Sequence, residues 1–135
     1  MVVQPEDYYD AESFARLKEF ADKQETPCLV VDKSIFERQL DDLISSFPYA
    51  KTYYAIKANP MPELLGILRD RCCCFDVASR YELDKVLAQC VTGDRVSYGN
   101  TIKKARDIRY FYEKGVNLFA TDSEADLRNI AKAAP

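Results

Sequence analysis

The chain of 135 residues contains no histidine, no tryptophan, only four glycines and two methionines. Without histidine it can hold neither a Ser-His-Asp or Cys-His triad nor a histidine-containing zinc site. No uninterrupted apolar run approaches the ~18 residues that a membrane span requires. The first ten residues, Met1 to Asp10, are polar, acidic and tyrosine-rich, unlike the basic-then-apolar start of a signal peptide. Positive charge is also in short supply. The 19 Lys and Arg face 22 Asp and Glu, a net charge of −3, which leaves no phosphate-neutralising surface for nucleic acid. The length itself falls short of a closed eight-stranded α/β barrel, which takes about 250 residues.

Five cysteines are present, at 28, 72, 73, 74 and 90, an odd number with three consecutive. That is a poor disulfide framework, and no C-x-x-C pair exists to anchor a zinc ribbon or a redox motif. Their expected role is that of small buried hydrophobes in a cytoplasmic protein. A shared metal on Cys72–Cys74 is disfavoured, because adjacent strand residues point to opposite faces.

What is present is an alternation. Cys28–Val31, Thr52–Ile56, Cys72–Val77, Arg95–Tyr98 and Asn117–Ala120 are short β-prone runs, read as buried strands. Between them apolar residues recur every three or four positions, as in Ile35, Leu40, Leu43, Ile44 and Phe47, and again in Leu83, Val86, Leu87 and Cys90. Ser34 with Glu37, Ser79 with Glu82 and Ser123 with Asp126 place a hydroxyl at a helix start and an acid three residues on. Pro62 suits a first helical turn, and Gly115 ends a helix that begins near Lys103. An earlier amphipathic segment, residues 10–23, precedes the first strand. The order is α/β with short connections, which predicts parallel strands and right-handed crossovers.

In such folds chemistry collects at the carboxyl ends of the strands. The strand Thr52–Ile56 runs into Lys57. The bare pattern leaves two readings of this lysine. It either emerges into water, or is partly desolvated so that its lowered pKa frees the amine for Schiff-base chemistry. The next strand delivers Asp76 to the same rim, and Ser79 then starts a helix with Glu82 in its first turn. Glu82 reads as half of a capping box, as a site acid, or as both. Gly99 offers close approach at the third strand's end, while Asp122 and Ser123 read as ordinary turn and cap residues.

The stretches Tyr54-Ala-Ile-Lys57-Ala-Asn59, Phe75-Asp-Val-Ala-Ser-Arg-Tyr-Glu82, Ser97-Tyr-Gly-Asn-Thr-Ile-Lys-Lys104 and Phe119-Ala-Thr-Asp-Ser-Glu124 occur in this order. Together they resemble the fold-type III pyridoxal-phosphate decarboxylases, and most closely the bacterial ornithine/lysine decarboxylases, from Thr26 to Pro135. The lysine motif alone would be shared with alanine racemases. The cysteine triplet departs from the family, where small residues, Gly or Ser, are expected before Phe-Asp.

The resemblance implies a partial (β/α)8 barrel of the TIM type, alanine-racemase-like, comprising its first four βα units after an N-terminal helix and strand. Residues 1–25 would form the helical segment and 26–135 the start of the cofactor-binding barrel, with strand 28–31 belonging to a carboxy-terminal β-domain further along. It implies pyridoxal 5′-phosphate as cofactor and no metal. Lys57 would carry the Schiff base, Asp76 and Glu82 would lie near the cofactor, and Ala55 would pack against it. The implied reaction converts a basic L-amino acid, ornithine or lysine, into a diamine for polyamine biosynthesis, in a cytoplasmic homodimer. Two rivals are a racemase of the same fold class and a catalytically silent homologue that binds a regulator. On this reading the chain is the amino-terminal portion of a decarboxylase, inactive alone, with the phosphate loop, ring-stacking His and partner-subunit residues beyond position 135.

Overall fold

A computed structural model describes Gln4 and residues 8–135, which divide into two compact units between Asp42 and Leu43. In the first unit Asp10 caps helix α1 (Ala11–Ala21), accepting from the Ser13 amide at 2.8 Å and the Ser13 hydroxyl at 2.9 Å. Helix α2 (Lys33–Ser46) starts two residues earlier than the Ser34/Glu37 signature predicts. Asp32 takes the cap, with its Oδ1 accepting from the Ser34 amide at 2.8 Å and the Ser34 hydroxyl at 2.6 Å. A carboxylate two residues upstream outcompetes the serine hydroxyl because it is the stronger acceptor. The hydrogen bond from the Ser34 hydroxyl, together with the Ser34 and Ile35 amides and the Arg16 charge, outweighs burial and holds the Asp32 carboxyl below its usual range.

The strand expected at residues 28–31 is not formed. Among the described residues this segment has no ladder partner, so its β-prone side chains have nothing to pair with. Leu29 is 83% exposed as a result.

The second unit holds a four-stranded parallel sheet in the order β1-β2-β3-β4: β1 (Tyr53–Ala55), β2 (Cys74–Val77), β3 (Val96–Tyr98) and β4 (Leu118–Phe119). Helices α3 (Pro62–Asp70), α4 (Arg80–Leu87), α5 (Ala105–Glu113) and α6 (Glu124–Ala133) follow the strands in turn. The four predicted βα units are therefore present, with the strands shorter at their ends than the apolar runs suggested. Side chains alternate across the sheet. Phe75, Val77, Val96 and Tyr98 are buried beneath the helices with Ile108 and Phe111. Tyr98 stacks on Phe111 with ring centroids 3.8 Å apart, a pairing worth about 1 kcal/mol beyond its area.

The opposite ends of the strands are closed by helix C-caps. At α5, Gly115 adopts φ +82°, its amide bonds to Tyr112 O at 2.9 Å, and the Val116 amide bonds to Phe111 O at 3.1 Å. Helix α3 ends in the same motif with Cys72 in the glycine position, at φ +57°. The Cys72 amide reaches Arg69 O and the Cys73 amide reaches Leu68 O, both at 3.0 Å. Arg95 adds its guanidinium to the exposed helix end, donating from Nε to Cys73 O at 3.1 Å and from Nη2 to Arg69 O at 3.1 Å. The cysteines are thus not uniformly buried: Cys73 and Cys74 are, whereas Cys28, Cys72 and Cys90 are exposed. Cys90 lies beyond α4 in a left-handed turn at φ +59° rather than on its apolar face.

A side chain bearing a Cβ is strained at φ +57°, so Cys72→Gly is expected to stabilise the protein by about 1 kcal/mol. Urea unfolding would show a higher midpoint with an unchanged slope; an unchanged or lower midpoint would mean that the turn tolerates the side chain without strain.

Candidate functional site

The register of the sheet places Ala55 opposite Asp76, and Asp76 opposite Ser97. These three residues therefore project from one face, the face opposite the helix-covered core. Ser97 Oγ donates to Asp76 Oδ1 in a short hydrogen bond. Two positions further along, Ala78 and Gly99 follow Asp76 and Ser97, and Lys57 follows Ala55 in the turn beyond β1. A Cβ built on Gly99 would overlap both oxygens of the Asp76 carboxylate, so this glycine makes room for the acid.

Lys57 lies in a turn closed by the Ala58 amide on Ala55 O at 3.1 Å. The turn is tied down beyond the lysine, where the Tyr54 hydroxyl donates to Asn59 O at 3.2 Å and Asn59 Oδ1 accepts the Met61 amide at 3.1 Å. Burial pushes the Tyr54 phenol above its ordinary pKa, which keeps it a donor. The Lys57 side chain itself is exposed, so of its two sequence readings the desolvated one does not describe this structure. A strand only three residues long ends before Lys57, and the turn that follows carries the amine out to solvent.

A hydrogen-bond chain runs along the same rim. Glu82 Oε2 accepts from the Ala78 amide at 2.5 Å while its own amide donates to Ser79 Oγ at 3.3 Å, so the expected box closes one residue further upstream than Ser79. Asn100 Nδ2 donates to Ala78 O at 3.3 Å. Lys103 Nζ donates to Asn100 O at 2.9 Å, Ala120 O at 2.7 Å and Asp126 Oδ2 at 2.6 Å, with Thr101 O at 3.3 Å. Its side chain has no exposed surface and that of Asp126 is 10% exposed. Burial raises the Asp126 pKa, but hydrogen bonds from Lys103 and Thr121 together with the Lys103 charge outweigh it, and the net shift is downward.

Of the residues singled out from sequence, Ala55 and Asp76 are lateral neighbours, Lys57 lies in the turn just beyond Ala55, and Glu82 sits in the first turn of the helix that follows Asp76. Ser123 caps α6, and Asp122 is exposed in the preceding turn. Asp126 does not complete the third capping box, because Lys103 takes its carboxylate. Asn100 stands on the rim as a polar group at the third strand's end, whereas the sequence pattern does not mark Ser97 or Lys103. Period-two alternation with Asp76 opposite would have found Ser97, whereas a lysine two residues before a helix gives no signal of burial. Among the described residues no cluster of His, Cys, Asp and Glu could hold a metal ion, and no helix is long and apolar enough to cross a membrane.

Comparison with known proteins places this geometry. The family model described as pyridoxal-dependent decarboxylase, pyridoxal binding domain, matches residues 33–135. The chain is 37% identical over 112 residues to the chloroplastic ornithine decarboxylase of Nicotiana glutinosa, covering 83% of this chain and 26% of that protein. A crystal structure of SrLDC, the Selenomonas ruminantium lysine decarboxylase, in complex with PLP and cadaverine superimposes with a TM-score of 0.81 at 29% identity, over 100% of this chain and 33% of the other. The arginine decarboxylase of Paramecium bursaria Chlorella virus superimposes equally well, TM-score 0.81 at 27% identity over 92% and 34%. The chain spans about a quarter of the length of the curated relatives it matches.

The Lys103–Asp126 pair sets a pH dependence. A carboxyl whose folded pKa lies below its unfolded value near ~3.9 stabilises the fold above that value, and the contribution is lost as pH falls through the folded pKa. Asp126→Asn leaves the enclosed ammonium without its counter-charge and is expected to cost about 3 kcal/mol at neutral pH. Denaturation of both proteins across pH would show the gap narrowing below pH ~4. A gap that stayed constant into acid would show that the pair contributes through shape alone.

Proposed function

Because the chain belongs to the pyridoxal-dependent decarboxylases, matching their pyridoxal binding domain over residues 33–135, we propose that the intact protein decarboxylates a basic L-amino acid, ornithine or lysine, to the diamine. The observation that carries this reading is an accessible primary amine, Lys57, held in a pinned turn at the carboxyl end of a parallel strand, next to a strand that presents a fixed carboxylate.

The donor set fits pyridoxal 5′-phosphate. Lys57 offers an exposed amine for covalent attachment, and the neighbouring strand ends carry the small residues Ala55, Ala78 and Gly99. Lys57 would hold the cofactor and Ala55 would pack against it, with Asp76 and Glu82 close by. When bound, the group supplies an electron sink for the electrons left as carbon dioxide departs.

The protein's own residues supply position and charge. Tyr54 and Asn59 fix the backbone of the turn, so the lysine side chain starts from one defined place at the strand end. Asp76 is restrained by Ser97 and cannot approach Gly99 more closely, so its negative charge stays on the face that Ala55 shares. A carboxylate so placed favours the protonated form of an amine nearby. Glu82 is already engaged by the Ala78 amide, so its contribution is to hold the β2–α4 connection that borders the site.

Polyamine biosynthesis is the metabolic role that a diamine product suggests. A reducing compartment such as the cytoplasm suits five unpaired thiols. Assembly as a homodimer rests on the family resemblance.

Purified intact protein supplied with the cofactor is expected to release diamine from L-ornithine or L-lysine, and Lys57→Ala is expected to reduce release to background. Formation of D-amino acid without diamine would replace this reading with a racemase. Cofactor binding with no turnover of any basic amino acid would favour a silent, regulator-binding homologue.

A further inference from the structure

The side chain of Lys103 has no exposed surface, yet four oxygens surround an ammonium that has three protons. Apolar side chains of similar volume at both Lys103 and Asp126 would fill the same space without the desolvation penalty of a buried charge pair, and such paired replacements are often neutral or stabilising. Packing therefore does not explain this lysine. What it holds does.

Its acceptors are the carbonyls of Asn100 and Thr101, just after β3, and of Ala120, just after β4, together with Asp126 on α6. Asn100 extends the connection sideways to Ala78 after β2, and the Ala78 amide is taken by Glu82. Lys103 thus fastens the ends of β3 and β4 directly, and Asn100 carries the connection on to β2. The residue between β3 and Asn100 is Gly99, whose Cα faces the Asp76 carboxylate at less than the distance a Cβ would need. A shift of this backbone toward Asp76 would push the carboxylate off the row it shares with Ala55.

We propose that Lys103 is a positioning residue for cofactor binding, acting through Asn100 and Gly99 to hold Asp76 in place. The proposal rests on the reading of Lys57 and Asp76 as a pyridoxal phosphate site.

The test titrates intact protein with pyridoxal 5′-phosphate, following the visible band of the bound cofactor, alongside thermal unfolding. Lys103→Met strands Asp126 and is expected both to destabilise the fold and to weaken cofactor binding about tenfold or more. The double variant Lys103→Met/Asp126→Leu removes both charges, so stability returns while cofactor binding stays weak. Lys103→Arg does not rescue binding, because a planar fork cannot replace a point charge among these oxygens. Asn100→Ala leaves the Lys103–Asp126 pair intact and is expected to weaken the cofactor with little change in unfolding temperature.

Full recovery of cofactor affinity in the double variant would reduce Lys103 to a structural role and overturn the proposal. Wild-type affinity in Asn100→Ala would overturn it as well, even if the Lys103 variants fail to fold. If the wild-type protein shows no cofactor band, the site assignment itself fails, and the proposal with it. A band in the wild type that every variant retains at wild-type affinity refutes the proposal alone.

Discussion

Asp76 pairs laterally with Ala55 on one side and Ser97 on the other, and this parallel register decides which side chains share the open face of the sheet. In a parallel ladder a slip of one residue would turn the whole row over. Asp76 would then point into the core that Phe75 and Val77 fill, and Phe75 would face solvent. Burying Phe75 and Val77 on one face is thus what places the acid on the other. Beyond the row lie Gly99, whose missing Cβ leaves the carboxylate its room, and the turn that carries Lys57.

Around this row the molecule spends its polar groups on fixing connections. At one end of the sheet, Arg95 and a pair of amides satisfy the last carbonyls of α3, and Gly115 closes α5 in the same manner. At the other end, Glu82, Asn100, Lys103 and Asp126 form a chain that crosses the ends of β2, β3 and β4. The two rims differ in kind. The first is held by helix-end chemistry that any α/β protein needs, whereas the second includes a buried ion pair whose desolvation must be repaid by its hydrogen bonds. A network of this kind bordering the proposed site suits one in which backbone position, more than side-chain variety, sets the geometry.

Much of this was legible from residue order. Short β-prone runs located β1 to β4 within a residue or two, and Pro62, Ser79, Ser123 and Gly115 marked helix ends that the structure keeps. Lys57, Asp76 and Gly99 could be placed on one rim because parallel strands deliver their ends to the same side. Other features were hidden because they depend on partners far along the chain. The Cys28–Val31 run has strand propensity but no neighbour to pair with among the described residues. Asp32 took a cap that Ser34 seemed to own, since local competition between acceptors is not visible in spacing. Burial of Lys103 arises only when the ends of β3 and β4 and the first turn of α6 converge, and nothing in its own flanks distinguishes it from the exposed Lys104.

The central claim is that the amine of Lys57 is the cofactor's point of attachment. Incubating the intact protein with pyridoxal 5′-phosphate, reducing with borohydride and mapping the adduct by peptide mass spectrometry tests it most directly. The account predicts a single modified peptide carrying Lys57, with the other nine lysines of this stretch unlabelled. Label at another lysine while Lys57 remains free would contradict it.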